Sequence, residues 1–303
     1  MARFPPHATG SDAAMGGGRT LVVTGASSGI GRTLAHRAAR SGARLVLAAR
    51  REEALEELVA ECAELGGEAR AFALDVTDAH AVEALADEAV ATYGRVDAWI
   101  NDAGVYLVGT FEETPPEAFR RVVDVNFFGT VNGSRAALRV FREQRRGVLI
   151  NVSSLVGGLA SPYVSAYAAS KWAIRGFTLS LREELRGTGI HACVVRPASI
   201  DTPIFRRAGN YSGRSIEALS PVYDVELAAT TILKLVEHPK REVIVGRSGK
   251  ALAALHAVAP AAVDWMFAKR MPANQFRPGQ APATSGNLFE SGPEWTTETG
   301  NWR

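Results

Sequence analysis

Residues 166–172, AYAASKW, place a tyrosine four positions before a lysine. On a helix, Tyr167 and Lys171 would lie one turn apart on the same face. A free phenol has a pKa of about 10, and a nearby ammonium group would stabilise the phenolate, so that the phenol could donate or accept a proton. The alternative is an ordinary surface pair, which stabilises a helix by only about 0.2–0.5 kcal/mol. Other motifs have to decide between the two.

A glycine-rich stretch, TGASSGIG at residues 24–31, joins a predicted strand to a predicted helix. Gly25 can make the tight turn, while Gly29 and Gly31 let a pyrophosphate approach the start of the helix. A generic turn would also use glycines, but the strand before and the helix after favour a dinucleotide-binding loop. The predicted cofactor contacts here are Gly25, Ser27, Ser28, Gly29, Ile30 and Gly31.

The end of the second predicted strand indicates which dinucleotide binds. An NAD site usually carries an acidic residue there, about 20 residues after the glycines, to bind the ribose 2′-hydroxyl. This sequence has Ala49 at that position, followed by Arg50 and Arg51. Because guanidinium groups suit a 2′-phosphate, NADP(H) is favoured over NAD(H). The alternative is that both arginines only begin a solvated helix with Glu52 and Glu53.

Two more strand ends carry residues for the adenosine half of the cofactor. ALDVTD follows the third predicted strand, and its aspartate is placed to meet the adenine. NDAG follows the fourth strand and would bring small residues beside the adenine ribose. Capping of the loops is the alternative for each motif taken alone. The predicted contacts are Asp75, Val76, Asn101, Ala103 and Gly104.

Apolar runs alternate with helix-period segments along most of the chain. Runs that are nearly continuously apolar are typical of parallel strands buried on both faces. Strands are predicted at 20–24, 44–49, 70–74, 96–100, 147–152, 191–196 and 242–246, and helices at 29–41, 52–65, 79–93, 115–143, 163–187 and 225–237. This pattern predicts an α/β fold: a doubly wound, Rossmann-like, seven-stranded and mainly parallel sheet flanked by helices, with its ligand at the carboxyl ends of the strands.

The two ends of the chain differ from this middle part. Residues 1–18 lack an apolar segment and are predicted to be a flexible leader rather than a secretory signal, and residues 19–248 form the Rossmann-type domain. Residues 249–271 are predicted to form an apolar helix interrupted at Pro260, and too short to span a bilayer. Residues 272–303 form a tail rich in Pro, Gly, Ser and Thr, either disordered or docked through its aromatic residues.

Composition argues against several functional classes. The chain has 303 residues, 47% hydrophobic and 22% charged, as in soluble globular proteins. With 34 Lys and Arg against 32 Asp and Glu, it lacks the basic excess of a nucleic-acid-binding surface. Cys62 and Cys193 lie apart from any metal-ligand pattern, so we predict no metal site and two reduced thiols. A reducing environment and no secretory signal predict a cytoplasmic protein.

TGASSGIG, NDAG, NVSS and YAASK, in this order and spacing, resemble the motifs of the short-chain dehydrogenase/reductase family over roughly residues 18–246. The resemblance implies that Tyr167 is the catalytic acid/base and that Lys171 lowers its pKa and binds the nicotinamide ribose. It also implies that Ser154 bonds the substrate oxygen and that Asn126 supports a water-linked proton relay to the lysine. The tyrosine–lysine pair is therefore interpreted as catalytic.

RPASIDTP, after the sixth predicted strand, is similar to the family's segment beside the nicotinamide. The resemblance implies that Pro197, Ile200 and Thr202 contact the carboxamide end of the cofactor. Two residues depart from the family pattern. Asp102 stands where a second asparagine is common, and we expect it to keep a polar contact at the strand ends. Ala198 stands where glycine is common, and it would be strained if this position needs a positive φ.

The family resemblance implies an oxidoreductase that transfers hydride between a nicotinamide cofactor and a carbonyl or alcohol. The residues expected around the substrate are mostly apolar, and the loop after Thr202 could close as a lid. We therefore predict a small, hydrophobic ketone, aldehyde or alcohol as substrate. The predicted lining is Leu155, Val156, Leu159, Tyr163, Ala198, Ile204 and Phe205.

Alternative functions and the partners of the chain complete the prediction. A non-catalytic dinucleotide sensor or scaffold could keep this fold, although it would have no need for all four catalytic residues. A dehydratase or epimerase usually carries a longer substrate domain. Because members of the family commonly pair through helices matching 115–143 and 163–187, we predict a homodimer or homotetramer. For the helix at 249–271, a core or subunit contact is favoured over a membrane surface.

Overall fold

The computed structural model describes residues 18–292, 294 and 296–303. Except for Gly18, the predicted leader lies outside the described residues. Seven strands form one parallel sheet, in the order β10-β7-β6-β4-β1-β2-β3. These strands are Thr20–Thr24 (β1), Arg44–Ala49 (β2), Glu68–Ala73 (β3), Ala98–Asn101 (β4), Gly147–Val152 (β6), Ile190–Pro197 (β7) and Glu242–Val245 (β10).

Helices cover both faces of this sheet. Two buried apolar clusters result, one under α1, α2 and α7 and one under α3 to α6. The helices are Gly29–Arg40 (α1), Glu52–Glu64 (α2), Ala79–Tyr93 (α3), Pro116–Val123 (α4), Gly129–Gln144 (α5), Ser165–Glu184 (α6), Val225–Glu237 (α7), Arg247–Val258 (α8) and Pro260–Gln275 (α9). The doubly wound, Rossmann-like α/β prediction is confirmed, and the strand order reverses between β1 and β4, where such sheets bind their ligands.

The long helix predicted at 115–143 is not one continuous α-helix. A π-helical turn, Asp124–Phe128, separates α4 from α5. Such turns insert an extra residue and often occur at functional sites. The insertion rotates the residues that follow, so a single 3.6-residue period describes only part of this segment. Asn126 lies within the π-helical turn.

The C-terminal part folds back on the domain. Pro260 begins α9 and separates it from α8, as predicted, because proline cannot continue the hydrogen-bond ladder of the preceding helix. Phe276–Gln280 (β11) then pairs antiparallel with Arg214–Ile216 (β9). Leu107–Val108 (β5) pairs with Gly209–Asn210 (β8), and Asn210 also bridges Thr284. The described residues of the tail are therefore docked on the domain, which is one of the two alternatives predicted for it.

The two C-terminal helices cover little of the core. On α9, Val263 and Met271 are buried, whereas Leu255 of α8 and Trp265 of α9 are 48% and 62% exposed. The prediction of a core contact therefore holds for only part of this segment, and a subunit contact stays a prediction. Across the described part of the chain, no helix combines the length and hydropathy needed to cross a bilayer.

Candidate active site

A pocket opens at the carboxyl ends of β1, β2 and β4. It brings together most of the residues predicted to bind the cofactor. These are Gly25, Ser27, Ser28, Gly29, Ile30, Arg50, Arg51, Asp75, Val76, Ala103, Gly104 and Thr202. Ile204, which was predicted to line the substrate pocket, also belongs to this lining. The other lining residues were not predicted as contacts of the cofactor or substrate, and they are Ala49, Leu74, Asp102, Val105, Val125, Pro203, Arg207, Asn287, Ser291 and Gly292.

Glycine is required at two positions of the loop that starts this pocket. Gly25 has φ +75°, and a Cβ there would lie 2.7 Å from the backbone of Ala103. A Cβ on Gly31 would lie 2.6 Å from the carbonyl oxygen of Gly25. The loop is therefore folded tightly against β4 and the start of α1. This shape, at a helix N-terminus, fits the pyrophosphate of a dinucleotide.

Asp102 fastens the same loop from the β4 side. Its carboxylate accepts a hydrogen bond from the backbone N–H of Gly31, and its own N–H donates to Thr24 Oγ1 at 3.3 Å. Burial raises the pKa of Asp102, and the ammonium group of Lys171 opposes that rise. The expected polar contact of Asp102 at the strand ends is present, and it links the glycine-rich loop electrostatically to Lys171.

Arg50 and Arg51 lie at the end of β2, where a 2′-phosphate would bind. Their described hydrogen-bond acceptors are neutral oxygens. Arg50 donates to the carbonyl oxygen of Asn287 at 2.7 Å, and Arg51 donates to the Ser27 hydroxyl at 2.9 Å and to the carbonyl of Glu294 at 3.0 Å. Arg51 is only 7% exposed, and the Arg50 guanidinium is hydrogen-bonded to the tail. Neither arginine is therefore a solvated side chain at the start of a helix, as the alternative interpretation would require.

Some predicted cofactor residues do not line the pocket. The Asn101 side chain is buried, and it accepts a hydrogen bond from Trp99 at 2.9 Å and donates to Asn151 at 2.8 Å. Ile200 is buried in the core and bridges Tyr223. The remaining predicted residues that lie outside the lining are Gly31, Tyr167, Lys171 and Pro197.

Tyr167 and Ser154, the predicted acid/base and its serine partner, lie close to each other outside this lining. The Ser154 hydroxyl acts on the Tyr167 phenol and favours its ionised form. Burial raises the pKa of Tyr167 to about 12, the Ser154 hydroxyl opposes the rise, and the Asp102 charge adds to it. The influence of Lys171 on this pKa stays a prediction, because the causes of the upward shift are burial and the Asp102 charge, opposed by Ser154. Tyr167 is accordingly a protonated phenol at neutral pH.

Lys171 lies one turn after Tyr167 on α6, as the spacing predicts. Its Nζ donates to the carbonyl oxygen of Val152 at 2.9 Å and lies 5.6 Å from the centroid of the Tyr167 ring. Burial lowers the pKa of Lys171, and the Asp102 carboxylate opposes this. A cation is thus held beside the tyrosine ring by a backbone oxygen.

Asn126 reaches the same region from the π-helical turn. Its Oδ1 accepts from the Val105 N–H at 2.8 Å, and its Nδ2 donates to the Val105 carbonyl at 3.1 Å and to Ser170 Oγ at 3.0 Å. Its side chain is therefore fully engaged in joining the loop after β4 to α6. A positioning role is visible, and the proton-relay role stays a prediction.

A series of aromatic rings packs against Tyr167. Tyr106 contacts Tyr167 edge to face at 4.7 Å between centroids, and Phe205 contacts Tyr106 at 5.2 Å. Trp302, from the tail, contacts Phe205 at 6.0 Å. Gln275 donates to the Tyr106 hydroxyl at 3.0 Å. Tyr106, Gln275 and Trp302 were not predicted as site residues. Tyr106 lies just after the NDAG motif, which could have pointed to it, whereas Gln275 and Trp302 lie near no recognised motif.

The predicted substrate residues divide into two groups. Val156, Tyr163, Ile204 and Phe205 belong to the apolar cluster that contains Tyr167, and Leu159 is buried. Leu155 and Ala198 instead face Gly249 at the start of α8. Ala198 is not among the residues with positive φ, so the strain considered for this position is absent.

Metal ligands and reactive thiols are not part of this site. Within the described residues, no three His, Cys, Asp or Glu side chains converge on a common point. Cys62 and Cys193 are buried free thiols, and burial raises their pKa values to about 12 and about 11. Both thiols are thereby kept protonated and unreactive.

Comparison with known proteins adds independent information. The model of the short chain dehydrogenase family matches residues 19–211. YxnA, an uncharacterized oxidoreductase of Bacillus subtilis, is 38% identical over 280 residues, 90% of this chain and 78% of that protein. The 3beta-hydroxysteroid dehydrogenase 1 of Eggerthella lenta is 36% identical over 189 residues, 62% and 72% of the two chains. A crystal structure of a short-chain dehydrogenase from Streptomyces avermitilis aligns with a TM-score of 0.70 at 30% identity, covering 84% and 97%.

Proposed function

This chain belongs to the short-chain dehydrogenase family, and from that membership we propose an NADP(H)-dependent oxidoreductase that interconverts a carbonyl and an alcohol on a small hydrophobic substrate. The observation that carries the proposal is the convergence of the Ser154 hydroxyl and the Lys171 ammonium group on the buried Tyr167 phenol. Lys171 lies next to Gly104, which lines a pocket that Arg50, Arg51 and Arg207 also line. A proton donor and a dinucleotide-shaped cleft are the two parts that such a reaction needs.

Tyr167 supplies the proton in the proposed reaction. Bound NADPH would supply the hydride to the carbonyl carbon. As negative charge develops on the substrate oxygen, the Tyr167 hydroxyl gives it a proton, and the Ser154 hydroxyl donates a hydrogen bond to the same oxygen. Lys171 then stabilises the phenolate that remains. Asn126 holds the loop after β4 and α6 together, which keeps these groups in register.

The pKa of Tyr167 favours the reductive direction near neutral pH. A phenol with a pKa of about 12 stays protonated there and is the form that donates to an alkoxide. Alcohol oxidation needs the phenolate as base, which forms only at higher pH. We therefore propose carbonyl reduction as the direction at neutral pH.

NADP(H) is the proposed cofactor because of the charge at the end of β2. Ala49 stands where a carboxylate would repel a 2′-phosphate, and Arg50 and Arg51 follow it. Their described hydrogen-bond acceptors are backbone carbonyls and a hydroxyl, which carry no full negative charge, and of the two only Arg50 is influenced by a described carboxylate, that of Asp75. A phosphate carries about 1.5–2 negative charges at neutral pH, so it would gain more from this site than a hydroxyl.

A hydrophobic substrate is proposed from the rings around Tyr167. Tyr106, Phe205 and Trp302 form a chain of edge-to-face contacts that starts on the catalytic ring. The name of the Eggerthella lenta relative, a hydroxysteroid dehydrogenase, supports an apolar ring system as a candidate. A screen of ketones and aldehydes should favour apolar members, and turnover of small polar sugars alone would contradict the proposal.

The alternative of a non-catalytic sensor or scaffold makes a different prediction. Such a protein would bind the dinucleotide without oxidising it in the presence of any carbonyl. The complete set of Asn126, Ser154, Tyr167 and Lys171 favours the enzyme. A homo-oligomer and a cytoplasmic location are part of the proposal.

Cofactor titration tests the central claim. We would follow protein fluorescence while adding NADPH or NADH to the wild type, to Arg50→Ala and to Arg44→Ala, a control at the opposite end of β2. The expected result is preferential NADPH binding that Arg50→Ala weakens strongly while NADH is hardly affected. Equal binding of both cofactors, indifferent to Arg50, would contradict the NADP(H) proposal.

A further inference from the structure

Arg207 enters the cofactor pocket from the loop that follows β7. This loop begins with a short 3-10 turn, Pro203–Phe205, and Arg207 lines the pocket beside Arg50 and Arg51. Its Nη2 donates to the Ser28 hydroxyl at 2.6 Å. Ser28 precedes α1 and makes no side-chain cap to that helix, so its hydroxyl is used instead to hold a guanidinium at the glycine-rich loop.

The charge of Arg207 is not matched by a carboxylate among the described residues. Its Nε is buried and has no hydrogen-bond partner there. Burial, together with the charges of Arg51 and Arg50, lowers the pKa of Arg207 to about 9. A buried cation close to two other cations is costly unless an anion joins them.

Two other buried arginines show the contrast. Arg196 pairs with Glu242 at 2.9 Å, and Arg32 pairs with Glu61 at 2.6 Å. Each of these two structural arginines has a carboxylate partner. The described hydrogen bonds of the three pocket arginines go to neutral oxygens instead. The Asp75 carboxylate acts on Arg50 through its charge, but it is itself hydrogen-bonded by Arg121. Such a cluster of guanidinium groups suits an anionic ligand.

We propose that Arg207 completes a three-arginine site for the 2′-phosphate of NADP(H), together with Arg50 and Arg51. This inference rests on the proposed NADP(H) function. The charges that act on Arg207 are those of Arg51 and Arg50, at the strand end where the ribose 2′-substituent lies. A phosphomonoester there would meet three guanidinium groups and could accept from the buried Nε. Arg207 is thus a cofactor-specificity residue contributed by the substrate loop.

Binding measurements on Arg207→Gln, Arg207→Lys and Arg206→Gln test the proposal. Arg206 is the matched control, because it is the neighbouring arginine but lies over the Trp302 ring at 3.9 Å. Dissociation constants for NADPH, NADH and adenosine 2′-monophosphate would be measured by fluorescence, with circular dichroism to verify folding. Loss of a charged hydrogen bond, about 1.5–3 kcal/mol, corresponds to a weakening of roughly 10- to 150-fold.

The expected result is that Arg207→Gln weakens NADPH and adenosine 2′-monophosphate by this factor and leaves NADH nearly unchanged. Arg207→Lys should recover part of the affinity, and Arg206→Gln should behave as wild type. Equal weakening of NADPH and NADH would overturn the proposal, because Arg207 would then meet the pyrophosphate. No weakening of NADPH in Arg207→Gln, in a wild type that prefers NADPH, would overturn this inference alone. A wild type without that preference would overturn the NADP(H) proposal as well.

Discussion

At the scale of single residues, burial keeps the Tyr167 phenol protonated at neutral pH, and the Ser154 side chain acts on it. We predict that Tyr167→Phe lowers kcat by about 10²–10⁴-fold, the usual contribution of a positioned proton donor. NADPH affinity should stay close to wild type, since Tyr167 lies outside the pocket lining. Stopped-flow NADPH oxidation and fluorescence titration measure the two effects.

A remote tyrosine provides the control for this prediction. Tyr93, at the end of α3 beneath Arg44, should tolerate replacement by phenylalanine with unchanged turnover. If Tyr167→Phe kept more than a tenth of the wild-type kcat, another group would have to supply the proton.

Asp102 places a carboxylate within electrostatic range of both Tyr167 and Lys171. Its negative charge raises the pKa of each of them. Asp102→Asn removes that charge, while the amide oxygen can still accept from Gly31. Both pKa values should therefore fall, and the basic limb of the kcat/KM profile for reduction should move to lower pH by about one unit.

The pH profile of kcat/KM between pH 8 and 12 measures this shift, with Asp97→Asn, which lies at the far end of β4, as the control. A basic limb that stayed in place or moved upward would mean that the Asp102 charge is not felt at the catalytic residues.

At the scale of elements, the π-helical turn turns Asn126 toward the loop after β4. Asn126→Ala would leave the buried N–H and carbonyl of Val105 and the Ser170 hydroxyl without their partner. We predict that the free energy of unfolding falls by about 1–3 kcal/mol, as measured by urea denaturation. Asn132→Ala, which loses one hydrogen bond to Val76 at a partly buried site, should cost less. Equal costs would show that the turn does not depend on Asn126.

The tail is fastened to α1 and α2 through His36. Its Nδ1 lies 2.5 Å from Glu298 Oε1, and its Nε2 lies 2.7 Å from Glu61 Oε2. Burial lowers the pKa of His36, but the hydrogen bonds to the two glutamates raise it more, so the net pKa is raised above 6.5. Protonation therefore favours the docked tail below the unfolded-state pKa, and this contribution is lost as pH rises through the higher folded-state value.

Hydrogen exchange of residues 296–303 measures this pH dependence. In the wild type, protection should decrease between pH 6 and 9 beyond the intrinsic change in exchange rate. His36→Gln should be less protected at pH 6 and should lose the dependence. A wild-type tail with the same protection at both pH values would contradict a titrating clamp at His36.

The elements differ in how far the sequence could predict them. β1, β2 and β6 have the predicted bounds because their apolar runs end at turn residues. The break at Pro260 followed from proline chemistry. The π-helical turn was missed because one inserted residue hardly changes the apolar period of a long segment. The docking of the tail was left open, since its partners are backbone groups of distant loops.

At the scale of the whole molecule, the candidate site is built from segments that lie far apart in the chain. The residues predicted from local motifs, such as Gly25, Ser154 and Tyr167, each lie on a short pattern that sequence alone reveals. Arg207 and Trp302 meet the site only through tertiary contacts, Arg207 at Ser28 and Trp302 at Phe205. Neither sequence periodicity nor a short motif encodes such contacts. The motifs therefore predict residues at the centre of the site but not those that surround it, such as Arg207 and Trp302.

The helices around the catalytic residues also present an unpartnered apolar surface. Phe128, next to the π-helical turn, is 50% exposed, and Trp172 on α6 is 45% exposed. Exposed aromatic side chains are frequent anchors of subunit interfaces. We predict that the wild type is a homo-oligomer at micromolar concentration and that Trp172→Glu, which buries a charge in the interface, reduces the molar mass to the 32.3 kDa of one chain.

Light scattering coupled to gel filtration measures that mass. Leu227→Glu is the matched control, because Leu227 on α7 is 43% exposed but lies on the opposite side of the sheet, so the oligomer should persist. Because Trp172 directly follows Lys171, dissociation should also alter turnover, whereas the control should not. A wild type that elutes as a single chain would remove the prediction. An oligomer that survives Trp172→Glu would place its interface elsewhere, with the exposed Leu255 and Trp265 of α8 and α9 as the next surface to test.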